Sequence, residues 1–337
     1  MAVWEEGERL NTDLQQRSQV TIVVEFTMFF LFGLFAIVGN AMVCAAIYRQ
    51  PRLRVTTNYY VAALAIFDIF QSCVSLPLVL GVIVTGRWPY GRVVCHIQGF
   101  SVPMFGFASI LILLLIALNR YVKIIKTRAK YNKYFSPKKA IASIFAAFCT
   151  GVVGTLILNT KFEFDPGKLF CFADGGRTPI PTAFAIGFLF FLLPFSLMCY
   201  CYLKIYLKIR QHKRHVVLHL RNSAQRAPNR KEINTTKTFF AVLVVFIICY
   251  LQIPIIEVIR KQNSFLPRQV FVFYTIMGGL SSVLNVLVYS VMNCALRLEL
   301  KKILCGLRQR QINPAVASNN AFVVVHISNI NHLETKL

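Results

Sequence analysis

Charge is scarce in this sequence. Asp, Glu, Lys and Arg make up 15% of its 337 residues, where a soluble domain carries roughly a quarter. Hydrophobic residues make up 56%, and the mean hydropathy is +0.58, so the chain cannot solvate itself and a membrane is its default solvent. The first twenty residues carry Glu5, Glu6, Glu8 and Asp13 and no apolar core. A cleaved signal peptide is therefore not expected, and the first apolar span is expected to target the chain. A Gly-rich phosphate loop and a nucleophile elbow are both missing. The six His residues are scattered. His212, His215 and His219 share one helical face, but no Cys or carboxylate completes a metal shell there, and they read as a solvated basic face. Nothing in the pattern points to an enzyme.

What is present is length. Seven apolar stretches, at 23–47, 59–85, 93–118, 139–159, 181–203, 238–260 and 269–292, each suffice to cross a bilayer as a helix. Strands of a membrane barrel would be short and alternating. The fold class is an all-α membrane protein: a seven-transmembrane helix bundle over residues 23–292. Residues 1–22 form the extracellular N-terminus, 293–305 a short amphipathic cytoplasmic eighth helix, and 306–337 a flexible tail. Taking 48–58, 119–139, 204–237 and 293–337 as one side collects 27 basic and 3 acidic residues. Basic loops stay cytoplasmic. The expected protein is thus a multi-pass protein of the plasma membrane with its N-terminus outside and C-terminus inside, the bilayer its first partner. The net charge of +24 is topological and faces lipid, which excludes nucleic acid. The 204–237 loop is expected to extend two helices around an Ala-Pro-Asn turn.

Of ten Cys residues, six fall within spans, where Cys acts as a small hydrophobe. Cys294 and Cys305 fall on the reducing side. Only Cys95 and Cys171 map to the oxidising side, as a disulfide or, the less usual alternative, two free thiols. Polar groups inside the bilayer are costly and are functional candidates: Asn40, Asp68, Ser109, Ser281, Ser282, Asn285 and Glu257. Ser281, Asn285 and Tyr289 recur every four residues, on one helix face. These groups read either as a hydrogen-bonded packing knot or as a cation-binding switch.

The ordered motifs make the chain similar to a rhodopsin-like (class A) G-protein-coupled receptor over about residues 22 to 305. They are "GN" at 39–40, "LAIFD" at 64–68, Trp88 before Cys95, and "NRY" at 119–121. Pro194 with Tyr202, Pro254, and "NVLVY" at 285–289 complete the series. The Asn-Arg-Tyr form and "SPKKA" resemble melatonin-like or opsin-like branches. The resemblance implies an extracellular ligand and a heterotrimeric G protein, with arrestin as a further partner and outward movement of the sixth helix as the active step. Asn119, Arg120, Tyr121, Tyr202, Gln252, Pro254, Asn285 and Tyr289 would form the coupling switch. Asn40, Asp68, Ser109, Ser281 and Asn285 would form a polar core for an allosteric sodium ion at Asp68. Span seven has no Lys, so retinal is not expected and a light-driven pump is excluded; no other cofactor or metal is implied.

The departures matter too. Gln252 stands where the family carries an indole, Val286 where it carries Pro, and Val102 where amine receptors carry Asp. Triggering is then expected to run through Gln252 or Tyr250. The expected pocket comprises Gln98, Val102, Met104, Phe105, Glu257 and Tyr274, with Glu257 either sensing the ligand or pairing with Arg260 or Lys261. With Asn at 119 and at 234, both acidic clamps on Arg120 are absent, so raised basal signalling is expected. Leu296, Leu300, Ile303 and Leu304 oppose Arg297, Lys301 and Lys302 in an interfacial helix, ending at Cys305. That residue, and less so Cys294, is a palmitoylation candidate beside the free-thiol reading. Thr335 and Leu337 in the terminal "ETKL" suit a PDZ-domain groove. The competing class is a transporter or ion-conducting bundle using Asp68 and Glu257, disfavoured by the odd span count and the absence of repeats.

Overall fold

The protein is described by a computed structural model covering residues 2–158, 161–173, 180–218, 230–262, 266–292 and 294–305. Contacts group residues 1–300 into one compact unit and 301–337 into a second. Among the described residues of the first unit, seven helical segments are long and apolar enough to cross a membrane. They are α2 (Gln19–Arg49), α3 (Thr56–Thr85), α4 (Gly91–Ile125), α6 (Pro137–Ile157), the α7–α8 segment, α9 (Arg230–Gln262) and α10 (Arg268–Met292). The α7–α8 segment joins α7 (Ile180–Gly187) to α8 (Leu193–Leu218). Large apolar side chains such as Phe35, Phe70, Phe145, Ile248 and Val291 point outward, as an apolar solvent permits.

Local chemistry sets the helix ends. The Ser18 hydroxyl accepts from the Thr21 amide at 3.2 Å to start α2. Ser136 caps α6 with Pro137 at its first position, where the missing N–H costs nothing. Gly86 ends α3 in the left-handed conformation, φ 66°, which favours glycine. Pro194, which lacks an N–H, follows a π-helical turn at Phe188–Leu192, one of the places where a helix is locally distorted. By contrast, α10 runs through Val286 as one helix.

The contact between α6 and α4 uses a small residue. A Cβ on Gly151 would lie 2.6 Å from the Met104 carbonyl oxygen, so α6 approaches the α4 backbone there only as glycine. Phe190 stacks on Phe107 at 4.3 Å between ring centres.

Two features extend the sequence reading. Residues 2–15, within the segment read as a polar N-terminus, form α1 (Ala2–Gln15). Its Leu10 and Leu14 are buried in an apolar cluster with Phe29, Val79, Val82 and Phe271. An antiparallel hairpin, β1 (Phe162–Asp165) and β2 (Phe170–Ala173), pairs Phe162 with Ala173 and Asp165 with Phe170; the all-α reading omitted it. Cys95 and Cys171 form a disulfide, Cα–Cα 5.3 Å, fastening the hairpin to α4. After α5 (Arg128–Tyr134), capped by Thr127, and the bundle comes α11 (Cys294–Leu304), with Leu296, Leu300 and Glu299 buried and Gln50 donating to Glu299 at 3.1 Å. Helices α8 and α9 extend to Leu218 and from Arg230. Residues 219–229, where the sequence reading expects an Ala-Pro-Asn turn, lie outside the described residues.

Candidate functional site

A cavity of about 890 Å³ lies among α2, α3, α4, α7, α9, α10 and β2. Its walls are apolar and aromatic, including Val102, Phe105, Phe170, Phe172 and Tyr274. It runs from Glu257 to Asp68, Ser109 and Ser282, and its size suits a small molecule. Of the expected pocket residues, Val102, Phe105, Glu257 and Tyr274 line it. Gln98 does not. Fully buried, it accepts from the Cys171 amide at 3.0 Å and so holds the hairpin. Met104 is also outside the lining; its backbone meets Gly151 instead. Tyr250 is in the wall whereas Gln252 is not, and the Gln252 amide donates within its own helix, to the Cys249 carbonyl at 3.1 Å. Of the two triggering routes expected from sequence, Tyr250 is the one that reaches the cavity.

Glu257 makes no ion pair with Arg260, and the Lys261 side chain lies outside the described residues. The partner of Glu257 is Lys168, from the turn between β1 and β2, at 2.6 Å. Lys168 is 2% exposed and also lies 3.5 Å from Asp165 and over the rings of Phe172 and Tyr274, at 4.5 and 5.1 Å. Arg260 instead bridges Asp165 at 2.6 Å and Glu6 of α1 at 2.9 Å. Burial opposes both charges in the turn. The Asp165 carboxyl still lies below its ordinary value, because Lys168 and Arg260 outweigh burial. Burial is the largest single influence on Lys168, yet its ammonium lies above its ordinary value because Glu257, Tyr274 and Asp165 together outweigh that penalty.

The turn is shaped for this. Asp165 Oδ1 accepts from the amides of Gly167 and Lys168 at 3.0 and 3.3 Å. A Cβ on Gly167 would sit 2.8 Å from the Phe271 ring. Leu169, wholly buried, takes φ 66°, a conformation L-residues avoid at a cost of roughly 1–2 kcal/mol. The sequence signal was available: "FEFDPGKLFCFA" alternates aromatic residues around a Pro-Gly turn.

Helix α1 lies against the same end. Arg9 donates to the Leu266 carbonyl at 2.6 Å. Arg17 donates to Leu14 and Ile83 carbonyls, both at 2.7 Å, and to Glu25 at 2.6 Å. Arg268 donates to both oxygens of Glu25 at 2.8 Å. Glu25, an acid within a span, is thus held between two guanidiniums, and Arg268 serves that cluster.

At the far end of the cavity, Asp68 is buried and accepts from Ser282 at 2.8 Å and Asn285 at 3.2 Å. The sequence assigned Ser281 to this core, but Ser281 donates to the Gly278 carbonyl at 2.8 Å. Successive helical residues diverge by about 100°, and the rotation of α10 brings Ser282 to Asp68. Asn40 joins by donating to the Ser282 carbonyl at 3.3 Å. The Asn40 and Asn285 side-chain oxygens are buried without a donor among the described residues. With Asp68, they supply the oxygen chemistry a hard cation requires. Among the described residues, no three of His, Cys, Asp and Glu gather as a metal set.

Toward the other end of α4, Arg120 is 2% exposed. It donates to the Thr57 hydroxyl and lies 5.2 Å from the Phe239 ring centre. Thr57 in turn donates to Asn119 Oδ1 at 2.8 Å, and Asn119 Nδ2 donates to the Tyr131 hydroxyl at 3.3 Å. Sequence reasoning missed Thr57, since nothing local distinguishes a threonine at a helix start. Tyr202 packs on Phe240 and Tyr289 on Phe239, both tyrosines buried. Tyr121 faces Tyr200 at 6.2 Å. Pro254 is inside α9. Cys305 is exposed. The Cys294 side chain and Thr335 and Leu337 lie outside the described residues.

The sequence profile described as 7 transmembrane receptor (rhodopsin family) matches residues 39–289. Among curated proteins, the chain is 27% identical over 326 residues to melatonin receptor type 1C of Gallus gallus, covering 89% of each. It is 28% identical over 293 residues to melatonin receptor type 1A-A of Danio rerio, covering 85% of this chain and 82% of that one. With melatonin receptor type 1A of Gallus gallus the identity is 30% over 277 residues, covering 79% and 76%.

Proposed function

Because the chain belongs to the rhodopsin family of seven-transmembrane receptors, and is therefore a G-protein-coupled receptor, we propose that its ligand is an uncharged, mostly apolar small molecule. The observation that carries this is the Lys168–Glu257 pair: the charged residue in the upper wall of the cavity already has its counter-ion. A buried ionised ligand needs a compensating charge. Here an apolar, aromatic lining offers a neutral ring system the larger gain. The relatives named as melatonin receptors agree with that class, since melatonin is an uncharged acylated indole derivative.

The receptor sits in the plasma membrane with α1 and the hairpin outside and Arg120 facing the cytoplasm. The support is the concentration of basic residues on the Arg120 side. Ligand binding favours a bundle in which α9 moves outward and Arg120 leaves Thr57 to meet the heterotrimeric G protein. Tyr202 and Tyr289 support that open state. A sodium ion held by Asp68 with Asn40, Ser109, Ser282 and Asn285 favours the resting state, acting only through its differential affinity for it. Arrestin uses the same inner face. Cys305 carries a palmitoyl group, and Thr335 with Leu337 engages a PDZ domain.

The test is nucleotide exchange on purified receptor with a panel of G proteins and a library of neutral and cationic aromatic compounds. Stimulation by neutral members, weakened in Val102→Trp, is expected. Stimulation by cationic amines alone overturns the ligand class, and ion flux without exchange overturns the coupling.

A further inference from the structure

The charges at the hairpin end compensate one another in a single line. Glu257 meets Lys168, Lys168 meets Asp165, Asp165 meets Arg260, and Arg260 meets Glu6. Of these five, only Glu257 lines the cavity. Its side chain keeps 26% exposure, against 2% for Lys168. A carboxylate is presented to the ligand space while its cation is delivered from behind by the chain itself.

The turn is committed to that delivery. The Thr275 hydroxyl donates to the Lys168 carbonyl at 2.7 Å, two aromatic rings flank the ammonium, and Leu169 beside it holds a left-handed backbone. The disulfide and the Gln98 contact anchor β2 just beyond. Nothing in this set contacts the ligand space except through Glu257 and the ring walls.

We propose that Lys168 is a specificity-determining residue, a tethered cation filling the counter-ion position of Glu257 so that the cavity rejects protonated amines and accepts neutral ligands of the same shape. An unpartnered carboxylate in an apolar wall would be the strongest available anchor for an alkylammonium. A second ammonium approaching a carboxylate already paired at 2.6 Å loses its hydration and meets like charge, which is discrimination by a repulsive element. A neutral N–H or O–H donor meets no such penalty. This inference rests on the neutral-ligand reading above and assigns that preference to one residue.

The experiment compares tryptamine, a cation, with N-acetyltryptamine, its neutral counterpart, by equilibrium binding to purified full-length receptor. Wild type is expected to favour the neutral probe. Lys168→Met, close in volume and compatible with the flanking rings, is expected to gain at least tenfold for tryptamine. Lys168→Arg should gain nothing, and adding Glu257→Gln to Lys168→Met should abolish the gain. A folded Lys168→Met without the gain overturns the proposal, as does a gain that survives Glu257→Gln. If Lys168→Met does not fold, Glu257→Gln is read with indole-3-propionate, an anion of similar size. A tenfold gain over wild type is expected, and no gain overturns the proposal. Tryptamine gained by Lys168→Met, with no neutral probe binding wild type, leaves the role of Lys168 standing and sinks the neutral-ligand class alone.

Discussion

The Thr57 hydroxyl donates to Asn119 at 2.8 Å while receiving a hydrogen bond from Arg120. A threonine on α3 therefore ties together the two residues that begin the Asn-Arg-Tyr motif on α4. The sequence suggested an arginine with no clamp. The fold provides one whose acceptor is neutral, weaker than a carboxylate because only a carboxylate would add charge–charge attraction to the charge-assisted hydrogen bond.

Asn119→Asp should therefore lower agonist-free nucleotide exchange about tenfold, by adding a carboxylate beside Arg120. Thr57→Val should raise it severalfold. Exchange assays on purified protein check both, and unchanged basal activity in the two variants would remove the clamp from the mechanism.

Glu25 lies between Arg17 and Arg268 with all three side chains almost fully buried. Breaking such a set by removing one partner costs roughly 3–5 kcal/mol. Glu25→Gln is expected to lower the thermal unfolding midpoint by several degrees, measured by differential scanning fluorimetry in detergent. A midpoint within one degree of wild type would mean the cluster contributes nothing net.

The pH response follows from Asp165. Its folded value lies below the ordinary 3.8, so its contribution is complete above the ordinary value and is lost only as pH falls through the folded one. Lys168, raised above its ordinary 10.5, contributes fully below that value and loses its contribution only at more alkaline pH. Asp165→Asn should thus unfold earlier than wild type by a constant margin from pH 5 to 9, closing only below about pH 4. A margin that varies across the neutral range contradicts the assignment.

Helix α1 is anchored by two buried leucines, and truncating a buried Leu to Ala costs about 2–5 kcal/mol. Leu10→Ala with Leu14→Ala should release the helix, seen as faster hydrogen exchange at residues 5–15 and faster ligand dissociation. Unchanged protection would place the anchoring in the Arg9, Arg17 and Arg260 contacts.

Tyr250 lines the cavity and Gln252 does not. Tyr250→Ala is expected to reduce ligand-stimulated exchange at least fivefold, whereas Gln252→Leu should leave it within twofold. The reverse order would return the trigger to position 252.

Much of this receptor was legible in the chain alone. The seven spans and the order of the motifs are readable because bilayer burial acts on each segment separately and leaves its mark in composition. Cys95 and Cys171 were separable from the other cysteines for the same reason, since topology put only those two on one side. What the tertiary structure decided are relations between segments. The choice of Ser282 over Ser281 depends on how far α10 is rotated against α3, which packing sets and no local pattern encodes. Glu257 pairs with Lys168 instead of its helical neighbour Arg260 because a disulfide and a left-handed turn bring a distant loop inward, while Asp165 and Glu6 draw Arg260 away. Helix α1 read as polar because its apolar face is only two leucines, and burial of so small a face depends on the particular surface that the folded bundle offers it.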